Sequence, residues 1–535
     1  MDPQVKGEEG GGSGSFLRAA GLVSGLTLVS RVLGLVREQV FAALLGAGLH
    51  ADAFQIAFRI PNLLRDLFAE GTLSAAFVPV YTRALAEEGR PGAHRLSSRL
   101  LTLLAALLGV VVAAGIVFAG PLVAVLAPGF RAVPGKAELT VRLTRVMMPF
   151  LPLVSFAAVA MGMLNAEERY GPPAFAPAMF NLVAIVWGGA LWALGFPLEQ
   201  VALGWAAGTL LGGAAQLLVQ LPSLRRMGWW FVPEWAPGDP GIRRIAGLMA
   251  PATVGLAAVQ INIFVNSYFA SFEPGGVAWL NYAFRILYLP IGIFGVALGT
   301  IATTGLARRA AAGDLVGLSE TLRQSLFMLA FLTLPATAGL MVLGVPIVRL
   351  LYQHGRFAAS DTTNTAAALL AYSIGLLAYT GVKVLAPAFY ALGKPRVPLL
   401  ASALAVVTNV VINVLFFTRV GFRAVALGTA VGSLANVAVL LAVFERRVGG
   451  LGGRGWPMRF LRILGATAVM ALVTWLLAQQ LEAWLGSEGL LAQLATGLGP
   501  VVVGVLVYGL AAYGLKVPEA RAVLDLLKGA GRRDL

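Results

Sequence analysis

The chain contains no cysteine, and its three histidines, His50, His94 and His354, lie far apart. The first absence excludes disulfides, thiolate nucleophiles and Cys-ligated metals, and the scattered histidines argue against a His-based metal site. Charge is scarce: 12% of residues, where soluble domains carry about 25%. Acids are the rarer sign, with 25 Asp and Glu against 40 Lys and Arg, a formal net charge of +15. No G-x-x-x-x-G-K-[ST] phosphate loop occurs, so the pattern for ATP binding is missing. No cleavable signal peptide is evident. Residues 1–15 are polar and Gly-rich and read as a disordered tail.

What is present is apolar length. The 535 residues are 58% hydrophobic, with mean hydropathy +0.81. A spanning helix needs about 20 mostly apolar residues. The sequence reads as an all-α polytopic membrane protein with fourteen transmembrane helices near 22–46, 52–82, 98–127, 140–165, 173–195, 200–222, 242–271, 276–307, 320–351, 362–392, 396–418, 424–445, 458–481 and 490–515. The second and eighth are long and interrupted by polar residues, so bends are expected there. Gly34, Pro61, Pro149, Pro152, Pro290 and Pro387 mark further bends or hinges.

With the N-terminus inside, Lys and Arg on that side outnumber those on the other roughly threefold, which fits the positive-inside rule. Both termini are expected in the cytoplasm. The basic excess then follows from orientation, and no nucleic-acid partner is expected.

An internal repeat sets the organisation. Ala57-Phe58-Arg59-Ile60 recurs as Ala283-Phe284-Arg285-Ile286, and Arg83 as Arg309 at the same offset. Val201-Ala202-Leu203-Gly204 recurs as Val425-Ala426-Leu427-Gly428. The unit is six spans, so both copies share one orientation, and a substrate site is expected between two parallel lobes. The expected division is a tail at 1–15, an N-lobe at 16–222, a cytoplasmic loop at 223–241, a C-lobe at 242–448, two appended spans within 449–516 and a cytoplasmic tail at 517–535. This is the plan of an alternating-access carrier.

Six cations remain inside spans: Arg31, Arg37, Arg59, Arg65, Arg285 and Lys383. A charge at bilayer depth costs roughly 2.5–3.5 kcal/mol on insertion scales. One reading has the arginines snorkel to an interface or pair with Asp52, Asp66 or Glu70. The functional reading has them line a central, water-filled cationic cavity and clamp phosphate, which suits a planar fork that keeps its proton. Lys383 is either a second-lobe cation facing that cavity or a residue close to the membrane surface. Asn266, Asn409, Asn413 and Thr429 form another polar set. It reads as interhelical hydrogen bonding or as a Na+ site of side-chain and carbonyl oxygens, although no carboxylate is near. Trp229-Trp230-Phe231 after Arg225-Arg226 looks like an interfacial anchor. Glu167-Glu168 beside Arg169 reads as a solvated loop, and Pro518–Leu535 as an inner-leaflet segment or a solvated tail.

Several motifs together resemble a known family. They are Ser30-Arg31-Val32-Leu33-Gly34-Leu35-Val36-Arg37, Gly46-Ala47-Gly48, Ala51-Asp52-Ala53-Phe54, Pro61-Asn62-Leu63-Leu64-Arg65, Phe68-Ala69-Glu70-Gly71 and Ala76-Phe77-Val78-Pro79. Gly295-Val296-Ala297-Leu298-Gly299-Thr300 and Val382-Lys383-Val384-Leu385-Ala386-Pro387 belong to the same pattern. From about residue 18 to 515 the chain is similar to the MurJ (MviN) lipid II flippase family of the MOP exporter superfamily. The resemblance implies fourteen helices around a V-shaped cavity and transfer of undecaprenyl-diphosphate-linked disaccharide-pentapeptide, lipid II, between leaflets of the bacterial inner membrane. It places the family's functional arginines on Arg31, Arg37, Arg65 and Arg285 and its acid on Asp52, with Arg59 where some members carry Lys. Phe284 stands where many members have Asp, and Asn266 where some have an acid. The lipid tail is expected to stay in the membrane, through a lateral gap or along spans thirteen and fourteen. Membrane lipids and peptidoglycan synthases are the expected partners, and Na+ or the membrane potential the candidate driving force. The alternatives are an exporter of another undecaprenyl-diphosphate-linked glycan, a cation-coupled multidrug exporter and, from another class, a membrane enzyme acting on lipid diphosphates.

Overall fold

The computed structural model describes residues 9–68, 72–452 and 455–530, with side chains described for all of these except 9–20, 67, 68, 72, 251–259 and 526–530. The helices run α1 Glu9–Leu45, α2 Leu49–Phe68, α3 Thr72–Val117, α4 Ala119–Leu126, α5 Lys136–Met147, α6 Phe150–Ala166, α7 Gly171–Ala193, α8 Leu198–Leu218, α9 Leu221–Arg226 and α10 Pro240–Ala270. They continue as α11 Gly276–Pro290, α12 Ala297–Ala311, α13 Leu315–Val342, α14 Gly344–Tyr352, α15 Ala359–Ser373, α16 Leu376–Ala391, α17 Arg396–Val420, α18 Arg423–Arg447, α19 Trp456–Leu485, α20 Leu490–Gly514 and α21 Pro518–Ala530. Among the described residues ten helices are long and apolar enough to cross a membrane, or eleven when α15 and α16, bent by 41°, count as one span. The chain is therefore an all-helical, multi-pass membrane protein.

Two compact units divide it, one of Met1–Gln260 with His354–Arg356, the other of Ile261–Gln353 with Phe357–Leu535. Within the first, α2 packs on α5, α3 on α6, and α8 on both α6 and α7. Within the second, α11 packs on α15, α12 on α16, and α18 on both α16 and α17. The pairings recur in the same order, as the sequence repeat requires. The repeated glycine does the same work in each copy. A Cβ on Gly204 of α8 would press Leu191 of α7, and one on Gly428 of α18 would overlap Asn409 of α17. Lipid offers apolar side chains no reason to leave it, so close backbone approach at small residues is what holds such helices together.

The α7–α8 seam shows this best. Gly188 receives the Trp205 ring and Gly208 the Trp187 ring, where an added Cβ would lie 2.5 Å from Trp187 Cδ1. The Trp187 indole N–H donates to Gly204 O at 2.7 Å. Overpacking a fitted seam costs about 1–3 kcal/mol. Gly208→Val is expected to lower the thermal unfolding midpoint of the purified protein, whereas Gly189→Ala, where a Cβ meets open space, leaves it unchanged.

Bends fall partly where Gly and Pro predict. Pro149 separates α5 from α6. After Pro290 the chain makes a π-helical turn, Ile291–Val296, before α12; a missing N–H at proline invites such a register slip. Gly34, Pro61 and Pro387 leave their helices unbroken. A Cβ on Gly34 would make only ordinary contact with Asn181 of α7, whose Nδ2 donates to Ser30 O at 3.0 Å. The long second span predicted at 52–82 is divided between α2 and α3; Ala69, Glu70 and Gly71 lie outside the described residues. The loop expected before span three is helical, with a kink at Gly89 (φ 71°, ψ −174°) and Pro91 placed to begin the next stretch. Helix α1 begins at Glu9, inside the expected disordered tail; once a helix is nucleated, adding residues to its end is easy. Residues 1–8 lie outside the described residues.

Glu167 corrects another expectation. It is no solvated loop residue: its carboxylate is buried and accepts from Tyr81 Oη and Arg90 Nε, both at 3.1 Å, with His94 Nε2 at 3.6 Å. Tyr81 precedes the Gly89 kink and Arg90 and His94 follow it, so one carboxylate fixes both arms. In the second unit α21 docks through Val517 and Ala520 beside Phe327 and Phe331, and Glu519 pairs with Arg459. Arg532, expected in the same basic segment, lies outside the described residues.

Candidate functional site

In the first unit the four arginines singled out from the sequence lie on α1 and α2. Both helices are unbroken, so Arg31 and Arg37, six residues apart, stay about 240° apart around α1. Arg31 is exposed on a face shared with Leu28 and Val32 and makes no ion pair among the described residues. Arg37 is half-buried. Its Nη2 bonds Glu38 Oε1 at 2.6 Å, and its guanidinium lies 5.1 Å from the Phe180 ring centre.

Asp52 lies in the first turn of α2, where the helix dipole favours a carboxylate. It is 0% exposed, and Lys136 Nζ, on a residue 1% exposed, meets its Oδ2 at 2.6 Å. The ammonium also sits 4.1 Å from the Phe130 ring centre. The resemblance set Asp52 among the functional residues and gave Lys136 no role. The structure makes them a buried brace between α2 and α5. Nothing near Lys136 in sequence signals this, because its partner is 84 residues away.

Arg59 falls two turns along α2 from Asp52, on the same face, and is half-buried. Arg65 pairs with Asp66 at 3.1 Å, the local pairing that the sequence offered as an alternative. Glu70, the third acid considered there, lies outside the described residues.

In the second unit α11 buries Ala283, Ile286 and Leu287 and exposes Phe284, Arg285 and Tyr288. Phe284 is in ring contact with Tyr288 and with Tyr372 of α15. Arg285 is the one charged residue of α11 and is exposed between Phe284 and Tyr288. Lys383 on α16 is half-buried and makes no ion pair among the described residues. Gly295 and Gly299 make room for it: a Cβ on Gly299 would lie 2.9 Å from Lys383 O.

The amide set is assembled as its spacing suggests. Asn409 Nδ2 donates to Asn262 Oδ1 at 2.6 Å and to Asn266 Oδ1 at 2.8 Å. Asn266 Nδ2 donates to Thr429 Oγ1 at 3.0 Å, and Asn413 Nδ2 to Asn409 Oδ1 at 2.8 Å. Asn262 was missed, though it stands one turn before Asn266. An N–H group occupies the centre of this cluster, and no carboxylate belongs to it. Among the described residues no group of three or more His, Asp or Glu side chains is placed to hold a metal. Its side-chain oxygens accept from neighbouring N–H or O–H groups, with Asn413 Oδ1 left over.

Comparison with known proteins gives a consistent result. A family model described as "Lipid II flippase MurJ" matches residues 41–493. The chain is 37% identical over 433 residues to a "Probable lipid II flippase MurJ" of Vibrio cholerae serotype O1, covering 79% of this chain and 82% of the relative. It is 34% identical over 467 residues to a "Lipid II flippase MurJ" of Burkholderia cenocepacia, covering 86% and 90%. Among solved structures, "Lipid II flippase MurJ, inward closed conformation" matches with TM-score 0.74 at 24% identity, covering 92% of this chain and 98% of that one. An inward-facing multidrug resistance MATE transporter of the MOP superfamily matches with TM-score 0.66 at 17% identity, covering 80% and 98%. The two structures speak for the fold.

Proposed function

The chain belongs to the lipid II flippase MurJ family, and from that membership we propose that it moves lipid II from the inner to the outer leaflet of the bacterial cytoplasmic membrane. It acts as a carrier and changes no covalent bond. The eleven spans counted by length and composition, joined by α1, α2 and α10, make fourteen. Spans one to six and seven to twelve form two parallel lobes, and the distribution of Lys and Arg puts both termini in the cytoplasm.

Arg31, Arg59 and Arg285 grip the diphosphate, while Arg37, Arg65 and Lys383 add positive field. Asp52 acts by fixing α2 through Lys136. The observation that carries this reading is the exposure of Arg31 beside Leu28 and Val32 on α1, and of Arg285 beside Phe284 and Tyr288 on α11. A guanidinium keeps its proton, and its fork matches phosphate oxygens bidentately. The amide cluster supplies no ionised ligand for Na+. The driving force then comes from the membrane potential, about 2.3 kcal/mol per charge at 100 mV, or from consumption of the delivered lipid by peptidoglycan synthases.

Native mass spectrometry with lipid II and with a second undecaprenyl-diphosphate-linked glycan tests the assignment. The protein is expected to retain lipid II unaltered and in preference to the other glycan. Equal retention of both, or a covalently changed lipid, defeats it.

A further inference from the structure

The segment between α9 and α10 plays no part in the proposed transport, yet it is firmly built. The structure separates its three consecutive aromatics. Trp229 is 7% exposed and sits in the first unit's core with Leu224 and Met227, its indole N–H donating to Ser97 Oγ at 3.0 Å. Trp230 and Trp235 are 64% and 66% exposed, with Phe231 and Val232 also exposed between them. A buried tryptophan thus anchors a chain that holds two others outward.

The charges are sorted as well. Arg99 of α3 reaches Glu234 Oε1 and Asp239 Oδ2, each at 2.5 Å, and the Glu234 N–H donates to Thr102 Oγ1 at 3.1 Å. Glu234 and Asp239 are the acids of residues 223–244, and both are spent on Arg99. The cations are not. Arg225, Arg226, Arg243 and Arg244 are exposed and make no ion pair among the described residues. The Arg225 guanidinium lies 5.1 Å from the Trp230 ring centre. What remains facing outward is aromatic and positive.

We propose that residues 225–244 form a rigid docking surface for anionic phospholipid headgroups, with Trp230 and Trp235 entering the interface and the four arginines holding phosphates. The occupant is a lipid surface because the patch begins at the end of the membrane-spanning stretch Leu198–Arg226. Tryptophan favours the headgroup level, where its ring is apolar and its N–H wet. Arginine adds bidentate contacts to phosphate and attraction to a negative leaflet, which salt screens. The proposal is independent of the cargo carried.

Two measurements on the full-length protein in nanodiscs test it. With phosphatidylcholine brominated near the headgroup, wild type is expected to lose more tryptophan fluorescence than Trp230→Phe/Trp235→Phe, the difference being the share of two among ten tryptophans. Adding phosphatidylglycerol is expected to raise the thermal midpoint of wild type by several degrees, an effect that high salt removes. Arg225→Gln/Arg226→Gln/Arg243→Gln/Arg244→Gln, whose positions are all exposed, is expected to fold and to lose that rise. The proposal is overturned if aqueous acrylamide, and not the brominated lipid, quenches the Trp230 and Trp235 component. It is equally overturned if the charge variant keeps the full phosphatidylglycerol shift, or if wild type shows none, as a surface reserved for an acidic protein would.

Discussion

Arg31→Ala and Arg285→Ala each lower lipid II flipping in proteoliposomes by about 10- to 150-fold, and the double variant flips none. The magnitude follows from a charge-assisted hydrogen bond being worth about 1.5–3 kcal/mol, at about 1.4 kcal/mol per decade of rate. Folding should survive. Both side chains are exposed, and surface substitutions usually change stability by no more than about 0.5 kcal/mol. Thermal midpoints near wild type are therefore part of the expected result. Arg31→Lys and Arg285→Lys are expected to fall between, because Lys keeps the charge and loses the planar fork. Wild-type flipping by both alanine variants would remove the basis for diphosphate binding at these positions.

Lys136→Met destabilises the protein by about 3–5 kcal/mol, the usual result of leaving a buried charge without its partner. Asp52 then stays buried in the first turn of α2 without the Lys136 ammonium. Asp52→Leu in the wild-type background strands the ammonium in the same way. The double variant Asp52→Leu/Lys136→Met is expected to recover most of the loss, since an apolar pair of similar volume needs no compensation. A double-mutant cycle read by thermal unfolding isolates the coupling. Additive losses would mean that the two residues act separately and that the brace between α2 and α5 lies elsewhere. Flipping per folded molecule separates this role from substrate binding: the double variant should transport if Asp52 only fixes the helix.

The sequence was most legible where the physics is local or repeated. Apolar length marked the helices, because a bilayer demands about 20 apolar residues whatever the fold. The recurrence of Ala57–Ile60 at Ala283–Ile286 announced pairings that appear in each unit. Asn409 and Asn413, one turn apart, announced the amide cluster. Charge pairing was less legible. Arg65–Asp66 is a neighbour pair, but Lys136 meets Asp52 across 84 residues and Arg90 meets Glu167 across 77, and no spacing rule reaches that far. Glycine and proline were ambiguous for a related reason. Gly34 reads as a hinge in one dimension, yet it lies inside an unbroken α1 beside Asn181 of another helix. The same blindness applied to Trp229, which pattern alone grouped with two outward neighbours.

The amide relay has a consequence for where this molecule works. Asn262, Asn266, Asn409, Asn413 and Thr429 fasten α10, α17 and α18 with side chains that neither gain nor lose protons under ordinary conditions. Counterions have little to shield there, since the debt of a Debye atmosphere falls on full charges. That fastening should keep its strength from mildly acidic to alkaline media and from fresh water to brine, while the ionic latches at Arg99, Glu167 and Arg459 loosen or tighten with their surroundings.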